Sequence, residues 1–349
     1  MITSTGIEIP EVIERSTFGF MVSHVLFTTQ KLGIFDILSK AGSQTSDKLS
    51  KECNVPKDSL ERLLIAAVSA NFLEYKNNKF DIKTELQPFF KSGGLSHCRE
   101  RFTHYETATI KLFQFLEDAI RENDQQWSKI DSNFNPDQIF DSIFRDSKST
   151  KSFLENMWAL GYQDSIDLCQ QFSLKNFNHL VDLGGATGSF TVPALIENQG
   201  LTATIFDNES VKDCLCKKRD EYNLSGRLNF VSGDFFKDEL PDADLFSLGY
   251  ILSDWKKEEG TYLLNKIYKK LPNGGALLIL EKIFDDDMRG PFTTAMMNLN
   301  MLLETYGKHR SFEEYKNWLY NIGFQSFQFV RSGGEKHMIV ARKNVNAHS

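Results

Sequence analysis

The sequence predicts an α/β protein in which a mostly helical first half precedes a parallel, doubly wound sheet. Two observations support this fold class. From residue 11 to about residue 175, apolar residues recur mainly at helical spacing. From His179 onwards, short apolar runs alternate with longer helical patterns, which predicts a parallel sheet with helices on both faces. The 349 residues are too many for one ordinary core and suit two domains.

The composition argues against several classes of protein. The formal net charge of −7 disfavours a nucleic-acid partner, because phosphate binding needs a basic face. No stretch approaches the roughly 20 apolar residues that span a bilayer, and the first residues lack the pattern of a signal peptide. We therefore expect a cytoplasmic protein. None of the five cysteines shows C-x-x-C spacing, and His24 and His104 have no partner pattern that suggests a metal, so we expect reduced thiols and no metal.

The first half has the layout of a winged helix. Apolar positions at helical spacing occur over residues 18–26, and Pro56 opens a later helix that continues to Val68. Two β-type segments, 72–75 and 80–82, flank a polar turn and predict a hairpin. The mixed charge of the helix after Pro56 favours dimerisation over DNA binding. The predicted domains are a helical, winged-helix-like dimerisation domain (1–100), linking helices (101–175) and a second, sheet-containing domain (176–345).

The second half alternates strands and helices. The five predicted parallel strands are His179–Leu183, Thr202–Phe206, Leu228–Ser232, Asp244–Leu248 and Ala276–Glu281. The helices between most of them are expected over 188–198, 209–217 and 256–270. Two late strands, near 325–331 and 336–342, are expected to pair antiparallel. A parallel sheet that ends in such a hairpin is typical of the methyltransferase variant of the Rossmann-like fold.

The first turn between strand and helix is rich in glycine. Gly184, Gly185 and Gly188 allow the backbone to turn tightly and to approach a ligand where a Cβ atom would clash. The spacing differs from G-x-G-x-x-G, so a dinucleotide pyrophosphate is not the best match. Asp182, just before Leu183 and the glycines, suits a ligand with an amino-acid group, because its carboxylate can receive an ammonium.

Two further acids follow the next two strands. Asp207 lies about 20 residues beyond the glycine turn, where an acid can accept from both ribose hydroxyls. Asp234 can accept from an adenine amino group while the ring of Phe235 packs on the purine. Ligands of open α/β sheets bind at the carboxyl ends of the strands, where all of these residues lie. The sequence therefore predicts an S-adenosylmethionine site.

The chain resembles the plant-type O-methyltransferases, and within them most closely the acetylserotonin (hydroxyindole) O-methyltransferases of animals. The segments that carry the resemblance are Gly19–Phe27, Asp182–Gly188, Gly233–Asp238, Asp254-Trp255 and Leu299–Leu302. The resemblance runs nearly the whole length of the chain. It implies a homodimer formed through the N-terminal domain, S-adenosylmethionine as methyl donor and a small aromatic substrate.

The resemblance is weakest at the catalytic positions. Family members carry His-Asp-Trp after the fourth strand, where the histidine takes the phenol proton, but this chain has Ser253 at the histidine position. Of the two glutamates that flank the family histidine, one matches Glu281 and the other is replaced by His309. Tyr250, which we include in the cofactor site, stands where the acetylserotonin enzymes carry an arginine.

Three hypotheses follow for the chemistry. A phenol is mostly protonated at neutral pH and profits from a base, which a serine hydroxyl cannot supply. In the first hypothesis, His309 is a relocated base whose ring Glu281 holds. In the second, the acceptor needs no base because it is already ionised or is a free amine. In the third, the protein binds the cofactor but no longer methylates. The simpler alternative for His309 is a polar surface residue in a turn.

The acceptor pocket is expected on the long helix that follows the fifth strand. The resemblance places four side chains there: Met297, Asn300, Met301 and Glu304. Asn300 is the strongest candidate because it is a polar group within an apolar helix face. Tyr250 and Glu304 together suggest an acceptor that differs from acetylserotonin.

Overall fold

The computed structural model describes residues 9–90, 99–132, 134, 144 and 146–343. The chain divides into two compact units, Met1–Ala108 and Thr109–Ser349. Within the described ranges, no helix has both the length and the apolar character needed to cross a bilayer.

The first unit is a helical domain with a small β-hairpin. Its elements are α1 (Glu11–Lys31), α2 (Ile34–Ala41), α3 (Ser46–Cys53), α4 (Lys57–Ser69), β1 (Leu73–Lys76), β2 (Lys79–Ile82), α5 (Gln87–Phe90) and α6 (Arg99–His104). Strands β1 and β2 pair antiparallel, and a bridge between Gln44 and Phe80 adds a third short segment. In α4 the buried side chains Leu60, Leu64 and Ala67 follow helical spacing. This arrangement confirms the predicted helical, winged-helix-like domain.

The second unit contains the main sheet and its covering helices. Its helices are α7 (Ile110–Phe113), α8 (Leu116–Glu122), α9 (Ser147–Gln171), α10 (Thr191–Glu197), α11 (Lys212–Glu221), α12 (Lys257–Lys270), α13 (Phe292–Glu304) and α14 (Phe312–Ile322). Its strands are β3 (His179–Leu183), β4 (Thr202–Asp207), β5 (Leu228–Ser232), β6 (Leu245–Gly249), β7 (Ala276–Glu281), β8 (Ile283–Phe284), β9 (Arg310–Ser311), β10 (Phe324–Val330) and β11 (His337–Lys343).

The sheet has the order β10-β11-β7-β6-β3-β4-β5. Strands β3 to β7 pair in parallel, whereas β11 pairs antiparallel with both β7 and β10. The order reverses at β3, which lies between β4 and β6, and ligands of such sheets bind at this point beyond the carboxyl ends of the strands. The predicted fold class, a parallel sheet closed by an antiparallel hairpin, is confirmed.

The strands are covered on both faces. Along β3, Leu180 packs into one hydrophobic cluster, while Val181 and Leu183 pack into the cluster on the opposite face. All three side chains are completely buried. A strand buried on both faces must be apolar throughout, so Asp182 within β3 is an exception that needs hydrogen-bond partners.

Candidate functional site

In the glycine turn after β3, the backbone packs closely against neighbouring side chains. Gly184 and Gly188 have positive φ values of 67° and 85°. A Cβ atom on Gly184 would stand 2.5 Å from Cδ1 of Ile251, and one on Gly185 would stand 2.6 Å from Oδ2 of Asp182. A side chain at either position would therefore displace the turn or the carboxylate beside it.

Asp182 is held at the floor of a cavity beside this turn. Its side chain is 2% exposed, and Oδ1 and Oδ2 accept hydrogen bonds of 2.6 Å from the hydroxyls of Ser247 and Thr191. Burial raises the pKa of Asp182, and the two hydroxyls and the ammonium of Lys336 oppose that effect. The cavity is lined by Met157, Asp182, Gly184, Gly185, Tyr250 and Lys336, among others. The carboxylate is thus fixed in orientation and faces a space that also holds a cation.

Asp207 connects the end of β4 to the glycine turn. Its Oδ2 accepts from the backbone N–H of Ala186 at 2.8 Å, and its Oδ1 accepts from the N–H of Asn208 at 2.7 Å. Burial raises the pKa of this carboxyl to about 6, and the two backbone donors work against the shift. Each carboxylate oxygen can accept further hydrogen bonds, so Asp207 is pre-oriented for a pair of hydroxyls.

Asp234 and Phe235 follow β5 on the same side of the sheet. The Oδ1 of Asp234 accepts from the N–H of Phe236 at 2.9 Å, and the carboxylate pairs with the exposed Lys237 at 2.8 Å. The ring of Phe235 lies beside the turn, because its Cε1 is 3.6 Å from the Cβ position on Gly184. The predicted adenine-binding pair therefore lies next to the predicted amino-acid pocket.

Tyr250 begins the loop after β6. It has a positive φ of 57°, and its backbone N–H donates to the carbonyl of Leu280 at 3.0 Å. Its ring faces the ammonium of Lys336, with Nζ 5.0 Å from the ring centroid. The structure thus places Tyr250 on the cavity wall, in contact with a lysine that the sequence interpretation did not select.

Ser253, Glu281 and His309 come together at the end of β7. Glu281 is completely buried, and its Oε1 accepts from the backbone N–H of Ser253 at 3.2 Å. The other oxygen, Oε2, lies 3.8 Å from Nδ1 of His309. His309 is 3% exposed, so the alternative of a surface turn residue is wrong.

Burial shifts the two titrating groups of this cluster in opposite senses. It raises the pKa of Glu281 to about 7, and it lowers the pKa of His309 to about 3 with help from Lys282 and Arg310. At neutral pH the imidazole is therefore neutral, while the carboxyl group is close to its titration midpoint.

Backbone packing fixes the position of His309. Its N–H donates to Oδ1 of Asn298 at 2.8 Å. Gly307, two residues earlier, lies directly on the backbone of Ser253, where any side chain would clash. The guanidinium of Arg310 donates to the carbonyl of Leu252 at 3.1 Å, so the loop is tied to the segment that carries Ser253.

The four predicted pocket residues share one face of α13. Asn300 is 2% exposed, and its Oδ1 has no hydrogen-bond partner in the described part of the chain. Glu304 accepts from the hydroxyl of Thr109 at 3.0 Å, and Met301 is 9% exposed. Met297 is half-buried. Asn300 therefore offers an uncommitted buried acceptor, whereas Glu304 already has a partner.

Sequence reasoning missed the residues that orient Asp182. Ser247 lies opposite Asp182 in the register of β6 with β3, and a serine within an apolar strand was the available signal. Thr191, the first residue of α10, carried no comparable signal. Lys336 also escaped notice, because only the tertiary structure brings it to this cavity.

Comparison with known proteins supports the same family over the whole chain. A model of the O-methyltransferase domain matches residues 113–325, and one of the O-methyltransferase dimerisation domain matches residues 14–98. Acetylserotonin O-methyltransferase of Gallus gallus is 30% identical over 348 residues, which cover 98% of this chain and 100% of that protein. The Bos taurus enzyme is 30% identical, over 93% of this chain and 95% of its own.

Solved structures of related proteins support the same family. The crystal structure of human N-acetylserotonin methyltransferase in complex with SAM has a TM-score of 0.88 and 28% identity, and covers 98% of this chain and 100% of that one. PigF with SAH has a TM-score of 0.87 at 22% identity over 96% of this chain and 100% of its own, and shows the shared fold. These matches confirm the predicted family: the chain belongs to the O-methyltransferases and carries their dimerisation domain.

Proposed function

We propose that the chain transfers the methyl group of S-adenosylmethionine to a hydroxyl oxygen of a small aromatic molecule, acetylserotonin-like or related. The observation that carries this proposal is the convergence of Asp182, Asp207 and Asp234 beside the glycine turn at the carboxyl ends of β3 to β5. Family membership supports the reaction type. The substrate class is supported by the relatives that act on acetylserotonin.

The residues at the sheet edge fit this donor. Asp182 would face the ammonium group, Asp207 the ribose hydroxyls, and Asp234 with Phe235 the adenine. When bound, the donor supplies an electrophilic methyl group on a sulfonium. The protein then contributes by holding the acceptor in line with that group, which is worth several kcal/mol.

Glu281 and His309 are assigned the removal of the proton from the acceptor hydroxyl. Because burial raises the pKa of Glu281 to about 7 and lowers the pKa of His309, a proton that this pair takes up near neutral pH resides on the carboxyl group of Glu281, and the pair accepts it only while that carboxyl group is ionised. His309 would contact the acceptor hydroxyl and pass its proton towards Glu281. The backbone N–H of Ser253 donates to the carboxylate of Glu281, so Ser253 acts as a positioning residue. This is the relocated-base hypothesis, with the glutamate as the final proton acceptor.

The acceptor pocket is assigned to α13. The unpartnered Oδ1 of Asn300 would accept from a polar group of the substrate, and the side chains of Met297 and Met301 would contact its apolar ring. Glu304 would close the polar end of the pocket.

We also propose that the protein acts as a homodimer in the cytoplasm. The dimerisation domain over residues 14–98 supports the dimer. Helix α1 exposes Phe20, Met21 and Val22 by 60%, 49% and 39%, and exposed apolar clusters of this kind mark interaction surfaces. The net charge of −7 favours neither nucleic acid nor an anionic membrane surface as partner.

Methyl transfer from labelled donor tests the proposal. We expect turnover with acetylserotonin or with members of a panel of small phenols, and donor binding by calorimetry. Donor binding without turnover on any phenol, amine or carboxylate would contradict the proposal and favour a cofactor-binding protein of the same fold. Turnover confined to amines would support an acceptor that needs no base.

A further inference from the structure

Lys336 is a buried cation on the wall of the Asp182 cavity. It precedes β11, and its side chain is only 2% exposed. Its Nζ lies 2.8 Å from the position that a Cβ on Gly161 would occupy, and 3.6 Å from the corresponding position on Gly249. The missing side chains of two glycines, one on α9 and one at the end of β6, thus provide the space for the ammonium group.

The backbone around Lys336 is fixed to α9. The N–H groups of Glu335 and Lys336 both donate to Oδ2 of Asp164, at 3.0 and 2.8 Å. The N–H of Gly333 donates to Oδ2 of Asp167 at 2.5 Å. Two carboxylates thus anchor the backbone from which the side chain of Lys336 enters the cavity.

Within the described residues, the ammonium of Lys336 faces the ring of Tyr250, with Nζ 5.0 Å from the ring centroid, and has no anionic partner in contact. The carboxylates of the described residues act on Nζ only through longer-range electrostatics, and none of them accepts a hydrogen bond from it. Burial lowers the pKa of Lys336, while the more distant Asp182, Asp164 and Glu281 favour the charged form. A buried ammonium is costly unless an anion contacts it, and Lys336 lines the same cavity as Asp182, where an anionic group of a ligand could reach it.

We propose that Lys336 binds the α-carboxylate of the donor's amino-acid group, opposite Asp182, which faces the ammonium of the same group. A cavity with one fixed anion and one fixed cation is complementary to a zwitterion. The same cavity should bind a ligand that carries only a positive charge, or no charge, less tightly. The assignment rests on the proposed use of S-adenosylmethionine and adds the residue that recognises its carboxylate.

Three adenosine thioethers test this assignment by calorimetry on the full-length protein. S-adenosylhomocysteine carries both charges, 5′-deoxy-5′-(3-aminopropylthio)adenosine keeps only the ammonium, and 5′-methylthioadenosine has neither. We expect Lys336→Met to weaken binding of S-adenosylhomocysteine by roughly 10- to 100-fold, because a charge-assisted hydrogen bond is lost. The affinities for the two analogues without a carboxylate should stay within about threefold of the wild type, as expected for a group that contacts only the carboxylate.

Two further variants serve as controls. Lys282→Met removes another buried lysine, whose partner is Glu335, and should leave the ranking of the three ligands unchanged. Gly161→Ala keeps the charge of Lys336 but crowds Nζ, and should weaken S-adenosylhomocysteine selectively and by less. This variant also provides the test if Lys336→Met does not fold.

The outcomes separate the two proposals. If the wild type binds none of the three thioethers, the donor assignment itself fails. If the wild type binds them and Lys336→Met weakens all three equally, the role of Lys336 is structural and the carboxylate assignment is overturned, while the proposed function stands.

Discussion

The Nδ1 atom of His309 and the Oε2 atom of Glu281 lie 3.8 Å apart, and both atoms are buried without a hydrogen-bond partner in the described residues. The distance is too long for a hydrogen bond, but catalytic pairs in unliganded structures are often loose and tighten when substrate binds. A carboxyl group with a pKa near 7 beside a neutral imidazole is an arrangement suited to accept one proton at neutral pH.

Turnover with a phenolic acceptor should rise with pH through about 7. The base must be unprotonated to act, so the rate is low below the raised pKa of Glu281 and reaches a plateau above it. Glu281→Gln should lower kcat by roughly 10²- to 10⁴-fold and abolish the inflection. The measurement is kcat as a function of pH for the wild type and for Glu281→Gln. A wild-type rate that does not change across neutral pH would exclude a base that titrates there.

His309→Ala tests the other member of the pair. If the imidazole contacts the acceptor hydroxyl, its loss should reduce kcat by at least about 100-fold while donor affinity is kept. Lys308→Ala, which changes the exposed neighbouring residue, is the matched control. A rate for His309→Ala within a few-fold of the wild type would refute the relocated base.

Glu281→Gln should also stabilise the fold at alkaline pH. The pKa of Glu281 is about 7 in the folded state against a model value of 4.5, so the folded state binds the proton more tightly and loses stability as pH rises from 4.5 to 7. Glutamine keeps an acceptor for Ser253 without this cost. The gain should be on the order of 3 kcal/mol above pH 7 and vanish below pH 4.5. Urea unfolding of the wild type and of Glu281→Gln, above pH 7 and below pH 4.5, measures this difference in the free energy of unfolding. An equal gain in both pH ranges would disprove the link to the pKa of Glu281.

The sequence predicted the sheet better than the chemistry. The bounds of β3, β5 and β7 agree with the predicted strands, because buried parallel strands are short apolar runs between turn residues. Asp182 and Asp207 were identified for a related reason, since an acid at the end of an apolar strand is conspicuous. Their spacing along the chain places them at one edge of the sheet.

Contacts between distant segments could not be predicted in this way. Lys336 is positioned by Asp164, 172 residues earlier, and no local pattern records that contact. The proximity of His309 to Glu281 depends on Gly307 packing against Ser253, and only the family resemblance suggested that these residues meet. The burial that shifts both pKa values is likewise a tertiary property, which residue types alone do not reveal.

Asp207→Asn and Asp234→Asn should weaken donor binding. The carboxylate of Asp207 accepts from the N–H groups of Ala186 and Asn208 and is expected to accept from the ribose; Asp207→Asn replaces one of its two oxygens by an N–H donor. In Asp234→Asn, the acceptor for the adenine amino group loses its charge. We expect a loss of affinity for S-adenosylhomocysteine of roughly 10-fold or more for each, measured by calorimetry. Asp242→Asn, at an exposed carboxylate that pairs with Lys270, is the control. Unchanged affinity in both site variants would disprove the donor assignment.

Gly307→Ala should reduce turnover with little change in donor affinity. A methyl group at this position would clash with the backbone of Ser253 and push the His309 loop away from Glu281. We expect kcat to fall by about 10- to 100-fold, because a displacement of about 1 Å is enough to misalign a catalytic group. Gly226→Ala adds the same methyl group where no atom lies within 4 Å, and should behave as the wild type. Equal effects of both variants on donor affinity would show general destabilisation instead.

Phe20→Glu combined with Val22→Glu should convert the dimer to monomers. Both side chains are exposed on α1, so a charge there costs little in an isolated unit, but it would be desolvated and unpaired in an apolar interface. Light scattering after size exclusion should show the mass of one chain in place of two. Tyr262→Glu introduces the same charge at a side chain that is 55% exposed on α12, and should leave the mass unchanged. A dimer that survives the double substitution would place the interface away from both of these α1 side chains.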